Sequence, residues 1–365
     1  MKAGMLLKSP LKEPEPAGKA RAARAGAHVT AAKYVDGILD GDRSILAKAI
    51  TLIESSRRVD RELAEQIIEN CLPTSGNSIR IGVTGVPGAG KSSLIEALGQ
   101  HVVKNCGEKV AVLAIDPSSR ISGGSILGDK TRMTFLASSD MAFIRPTPTR
   151  GALGGVAQHT REAILLCEAA GYQNVFVETV GVGQSETAVR DMVDFFLLVT
   201  IGGAGDELQG IKRGVMERAD AVVVNKADGD NVRAAEKARA DAEIALHFLP
   251  ASASGWIPRT ASCSARTGSG VQEIWSFILE HHVKTSVNGW LEQLRREQKL
   301  QMMHENLEEG LMQLFLANPI VNQQLPLLEQ RVTAGQITAM SGARKLLSLY
   351  GSEHPVCDQD AKHRT

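Results

Sequence analysis

Between residues 81 and 263 the chain alternates short, unbroken apolar runs with segments of helical period. The runs are Ile81 to Thr84, Val110 to Ile115, Ala142 to Ile144, Val175 to Val177, Phe195 to Thr200, Ala221 to Val224 and Thr260 to Cys263. A strand wetted on one face alternates apolar and polar residues, whereas a continuous apolar run is buried on both faces. The pattern predicts an α/β fold with a mostly parallel sheet covered by helices on both faces. In such sheets ligands bind at the carboxyl ends of the strands.

Helical patterns flank this region. Tyr34, Ile38, Ile45, Leu46, Ile50, Ile53, Leu63 and Ile67 recur at spacings of three and four and predict two or three short helices. Residues 73–78 form a turn-rich connector. Beyond His282, the stripe Leu300, Met303, Leu307, Leu311, Leu314 and Phe315 predicts a long helix that Asn318-Pro319 stops. A second set, from Leu325 to Leu347, continues to Tyr350. These helices lack the length for a large core of their own, so they pack on the main domain or on a second subunit. The division expected is a basic disordered tail over 1–28, an N-terminal helical extension over 29–75, the α/β domain over 76–283, C-terminal helices over 284–350 and a disordered tail over 351–365.

Bulk properties exclude several classes. The 365 residues carry 41 Lys or Arg and 41 Asp or Glu, a balance that gives no electrostatic argument for a nucleic-acid partner. No run of about 18 uncharged apolar residues exists to span a bilayer. Five scattered cysteines without a C-x-x-C pair argue for reduced thiols and against a cysteine metal site. The first 28 residues are rich in Arg and Ala, but Glu13, Glu15 and three prolines break an amphipathic targeting helix. A bacterial cytoplasm is therefore expected over mitochondrial import.

The chemistry concentrates at strand ends. Gly85, Val86, Pro87, Gly88, Ala89, Gly90, Lys91 and Ser92 follow the first apolar run and precede a helix, the context of a phosphate-binding P-loop. Glycines let backbone N–H groups wrap a phosphate, and the next helix adds the positive end of its dipole. Lys91 is placed to reach the β- and γ-phosphates, Ser92 to ligate Mg²⁺, and Ser93 is counted with the nucleotide-binding set. The expected fold is thus that of a P-loop NTPase with helical extensions at both ends.

Asn225, Lys226, Ala227 and Asp228 follow the sixth run. A carboxylate there accepts two hydrogen bonds from guanine N1–H and N2–H₂, whereas adenine offers an acceptor and no amine. The pattern selects GTP, because the wrong base leaves the carboxylate unpaired. Ser264 and Ala265 match a loop that supports guanine O6 through backbone N–H, with Arg266 beside the base. Glu178, with Gly181 three residues on, stands where a carboxylate holds Mg²⁺ and a glycine N–H meets the γ-phosphate. Asp116, and Asp129 in a glycine-rich stretch after it, are candidates for Mg²⁺ ligation and for orienting the attacking water, or else helix N-caps. Val182, not Gln, follows Gly181, so no water-positioning residue is fixed. Gly202 to Lys212 is a second glycine-rich loop suited to sensing nucleotide or partner.

Together these segments resemble the metallochaperone-type P-loop GTPases, which carry Glu in place of Asp in the third motif, and within them the methylmalonyl-CoA mutase-associated MeaB/ArgK family. The carrying residues are Gly85 to Ser92, Asp116 to Ser119, Gly123 to Met133, Glu178 to Glu186, Gly205 to Lys212 and Asn225 to Asp228. The resemblance implies a GTP-hydrolysing chaperone that protects adenosylcobalamin-dependent methylmalonyl-CoA mutase and gates its cofactor loading. It further implies a homodimer joined through the C-terminal helices, Asp116, Asp129 and Glu178 around Mg²⁺, and Asp206 to Lys212 as a switch facing the mutase. A nickel-enzyme maturation GTPase would call for a His-rich tract, and the nine dispersed His argue against it. A kinase or ATPase of an amino-acid transport system would call for ATP, which Asp228 disfavours. A structural dimer with a vestigial site would show no turnover.

Overall fold

The computed structural model describes residues 30–116, 133–148, 153–179, 185–203, 213–250 and 252–353. The seven apolar runs become strands β1 (Ile79–Gly85), β2 (Val110–Asp116), β3 (Ala142–Pro148), β4 (Asn174–Thr179), β5 (Phe195–Ile201), β6 (Ala221–Asn225) and β7 (Arg259–Ser262). They form one sheet in the order β3-β2-β4-β1-β5-β6-β7. Every neighbouring pair is parallel.

Thirteen α-helices lie among the described residues. The N-terminal three are α1 (Ala31–Leu39), α2 (Arg43–Ile53) and α3 (Arg58–Cys71). Between the strands lie α4 (Lys91–His101), α5 (Thr134–Ser138), α6 (Leu153–Ala169), α7 (Ser185–Arg190), α8 (Arg213–Met216) and α9 (Val232–His247). After β7 come α10 (Val271–Val287), α11 (Trp290–Ala317), α12 (Pro319–Thr333) and α13 (Ala339–Glu353).

The two-residue period of the strands sorts the core into two faces. Val110 and Val112 join Ile81, Val83, Leu94, Leu98, Ile274 and Ile278, so α4 and α10 cover one side. Ala111 and Leu113 face the other way, toward Ile38, Leu46, Ile50, Ile67 and the α6 residues Ile164 and Leu166. The N-terminal helices are therefore part of the domain's own core rather than a unit standing off it. Asp42 starts α2 by accepting from the N–H groups of Ser44 and Ile45 at 2.8 and 3.1 Å.

At the C-terminal end, residue 283 lies inside α10, and the chain turns instead at Asn288-Gly289, where Gly289 has φ of +78°. The first half of α11 is pinned to the domain. Arg295 donates to both oxygens of Asp194 at 2.9 and 2.7 Å and to the carbonyls of Gly76 and Ser78 at 2.5 and 2.6 Å. Asn318-Pro319 ends α11 and also begins α12: Asn318 Oδ1 accepts from Ile320 and Val321 N–H, with Pro319 in the first turn. The second set of apolar residues divides at Gly335 (φ +69°) into α12 and α13. Helix α13 runs to Glu353, three residues past its expected end, and residues 354–365 lie outside those described, as do 1–29.

Candidate nucleotide site

The strand ends deliver the polar motifs to one rim of the sheet, with β1 between β4 and β5. The loop from Gly85 to Gly90 leaves β1, and α4 begins at Lys91. Gly85 has φ of +146°, and a Cβ there would lie 1.9 Å from the Val199 carbonyl oxygen, so only glycine lets the loop pass β5 this closely. Gly90 has φ of +84°, and its Cβ would lie 2.7 Å from Asn225 Nδ2. Lys91 is buried and donates from Nζ to the carbonyls of Gly85 and Val86 at 2.9 and 3.3 Å, which sets its ammonium across the mouth of the loop.

Glu178 is the penultimate residue of β4, in register with Val83 of β1 and Ala114 of β2. Ser92 Oγ donates to Glu178 Oε1 at 2.7 Å, and both side chains are buried. The following residue, Thr179, donates to Thr84 Oγ1 at 3.0 Å and so ties β4 to β1 at the rim. Asp116 ends β2 at the same rim, opposite Pro148 of β3. Asp129, Gly181 and the stretch 204–212 lie outside the described residues. Among the described residues no three His, Cys, Asp or Glu side chains cluster as a metal centre. A hydroxyl and a carboxylate held together are nevertheless the hard oxygen pair that suits Mg²⁺, which takes few protein ligands and completes its shell with phosphate and water.

Asn225, the last residue of β6, cross-braces the site. Its Nδ2 donates to the carbonyls of Ala89 and Gly90 at 2.8 and 3.3 Å, while its Oδ1 accepts from Ala265 N–H at 3.1 Å and from Cys263 Sγ at 3.5 Å. One buried amide thus locks the P-loop to the loop after β7. Burial pushes the Cys263 thiol up to about 12, so it stays protonated and serves as a small apolar donor. Asp228 Oδ1 accepts from Ser264 Oγ at 3.0 Å, and Arg266 lies 3.7 Å from Oδ2 with its side chain largely exposed. Asp228 and Arg266, with Gly90, Ser93, Asn225, Lys226, Asn231 and Ala265, line a cavity of about 450 Å³.

One sequence expectation changes in this light. The N–H of Ser264 bonds Ser269 O and that of Ala265 bonds Asn225 Oδ1, so neither points free toward a base. Any support for guanine O6 there shares the Ala265 proton with Asn225. The cross-brace itself was not legible, because it depends on β6 lying two strands from β1 in the sheet. A larger groove of about 650 Å³ lies between α2, α5 and β3. No motif residue lines it, and among its polar groups Arg145 pairs with Glu54 and Ser55 donates to Asp60.

A parallel sheet with a glycine loop leading into α4, a lysine and serine at its start and a carboxylate on the adjacent strand defines a P-loop nucleoside triphosphatase. The chain matches the family described as "Methylmalonyl Co-A mutase-associated GTPase MeaB" over residues 46–320, and it belongs to that family. It is 48% identical to a putative GTPase of Caulobacter vibrioides over 314 residues, covering 86% of this chain and 96% of the relative. It is 42% identical to the mitochondrial methylmalonic aciduria type A homolog of Mus musculus over 336 residues, 88% of this chain and 81% of the relative. A crystal structure titled LAO/AO transport system kinase superposes with a TM-score of 0.70 at 38% identity, covering 89% of this chain and 98% of that one.

Proposed function

We infer that this GTPase acts on an adenosylcobalamin-dependent methylmalonyl-CoA mutase, protecting it and gating cofactor loading, with GTP hydrolysis as the timing step. The family match over residues 46–320 carries the reading. In this reading Lys91 and the P-loop hold the β- and γ-phosphates, and Asp228 reads guanine. Ser92 and Glu178, joined at 2.7 Å, hold Mg²⁺, with Asp116 and Asp129 as further ligands or water-orienting groups. Bound Mg²⁺ would neutralise charge developing on the phosphates. The protein's own part is to fix the phosphates, exclude other bases and couple the γ-phosphate to its partner through the loops after Asp116, Glu178 and Gly203.

A homodimer through α11 belongs to the same proposal. Leu300, Met303, Leu307, Leu311 and Leu314 remain 55–64% exposed at spacings of three and four, a stripe that asks for cover. A cytoplasmic setting belongs to the same proposal; among the described residues no helix is long and apolar enough to cross a membrane. The test is a sizing column run with the purified chain, methylmalonyl-CoA mutase and a non-hydrolysable GTP analogue. Co-elution supports the partnership; separate elution at micromolar concentrations would overturn it.

A further inference from the structure

Lys226 is the only non-glycine residue with positive φ among the described residues, at 60°. A left-handed conformation in a residue with a Cβ costs about 1–3 kcal/mol and persists only where neighbours hold it. What it accomplishes is visible on either side. Asn225 turns inward onto the P-loop carbonyls, Ala227 N–H turns onto Cys263 O at 2.9 Å, and Asp228 meets Ser264 two residues on. A right-handed Lys226 would rotate the following peptide and carry Ala227 and Asp228 off these partners.

The hold comes from Asn231. Its Nδ2 donates to the Lys226 carbonyl at 2.9 Å, reaching back five residues from the 3₁₀ turn Gly229–Asn231. That turn is anchored in turn: Asn231 N–H donates to Asp228 O at 3.2 Å, and α9 begins at the next residue, with Ala235 and Ala238 packed on Val224 and Ala227. Asn231 also lines the 450 Å³ cavity. The bond needs a donor of asparagine's length: Asp would set acceptor against acceptor, and Ala offers nothing.

We propose that Asn231 is a specificity-determining positioning residue, which fixes the Lys226 peptide in its left-handed state and thereby aims Asp228 at the base. The proposal rests on the reading of Asp228 as the guanine-binding carboxylate. Phosphate binding is expected to be spared, since Lys91 donates within the loop to Gly85 and Val86, and Asn225, which braces that loop, precedes the Lys226 peptide.

The experiment measures affinities of the full chain for GDP, ADP and inorganic tripolyphosphate by competition against a fluorescent nucleotide. Asn231→Ala and Asn231→Asp each lower GDP affinity about tenfold, the scale of one such bond and the strain it holds. ADP and tripolyphosphate binding stay unchanged, which also reports that the variants are folded. In a Lys226→Gly background, where φ of 60° is unstrained, Asn231→Ala has a smaller effect. A GDP-to-ADP ratio unaltered by both variants, an equal loss for all three ligands, or an undiminished effect in the Lys226→Gly background would each overturn the proposal. A wild-type chain that binds GDP and ADP alike would instead overturn the reading of Asp228, and this proposal with it.

Discussion

Ser92, at the start of α4, and Glu178, at the end of β4, share a hydrogen bond of 2.7 Å inside the protein, 86 residues apart in sequence. The bond places a hydroxyl and a carboxylate side by side at the mouth of the P-loop. Removing either oxygen should weaken the cation site and leave the loop's grip on phosphate. Ser92→Ala and Glu178→Gln are expected to lower the apparent Mg²⁺ affinity of the GDP complex by roughly 10–100-fold. Titrating Mg²⁺ against a fluorescent GDP analogue checks this. Equal Mg²⁺ dependence in wild type and variants would remove these residues from the metal site.

Asp228→Asn should exchange base preference. Xanthine carries a carbonyl at C2 where guanine has an amine, and an amide can donate to it while a carboxylate cannot. The variant is expected to favour xanthosine over guanosine diphosphate in a competition assay. Retained guanine preference would refute the assignment.

The tie between Arg295 and Asp194 predicts a large loss of stability. Burial of Asp194 opposes its ionisation, but hydrogen bonds from Arg295 and the charges of Arg295 and Arg80 outweigh it and hold the carboxyl below its ordinary value. Arg295→Met leaves that carboxylate buried without its main partner, at a cost of about 3–5 kcal/mol. Urea denaturation of the two proteins measures it, and a difference under 1 kcal/mol would show that other groups suffice.

Glu162 on α6 predicts a pH dependence of the opposite kind. Burial raises its carboxyl to about 7, against the Gln158 amide that favours the ion, with Glu65 adding to the rise and Arg61 opposing it. The folded value lies above the unfolded one, so the folded state binds the extra proton between about pH 4.5 and 7. The resulting penalty is absent at low pH and complete above 7. Glu162→Gln should therefore match wild type near pH 4 and exceed it at pH 8, by up to about 3 kcal/mol. Thermal unfolding across that range decides, and a stability gap independent of pH would contradict it.

Much of this was legible in the chain because the signals are local. Runs such as Val110 to Ile115 declare doubly covered strands, and Gly85 to Ser92 declares the loop between β1 and α4. What escaped depends on the fold bringing distant residues together or on backbone angles. Arg295 meets Asp194 across 101 residues, and no local pattern marks an arginine on an amphipathic helix as a buried partner. Asn225 was read as part of a base-binding motif, yet its amide spends its donors on the P-loop. Asn231 gains meaning only once Lys226 is seen at positive φ. Asn318-Pro319 was read as a stop, and the same pair is an equally good start.

The central claim is that nucleotide turnover at this site serves a partner enzyme. GTP hydrolysis by the purified chain, measured with and without methylmalonyl-CoA mutase, tests it most directly. Turnover that is slow alone and rises when the mutase is added is the predicted result; identical turnover in both, with no complex formed, would contradict it.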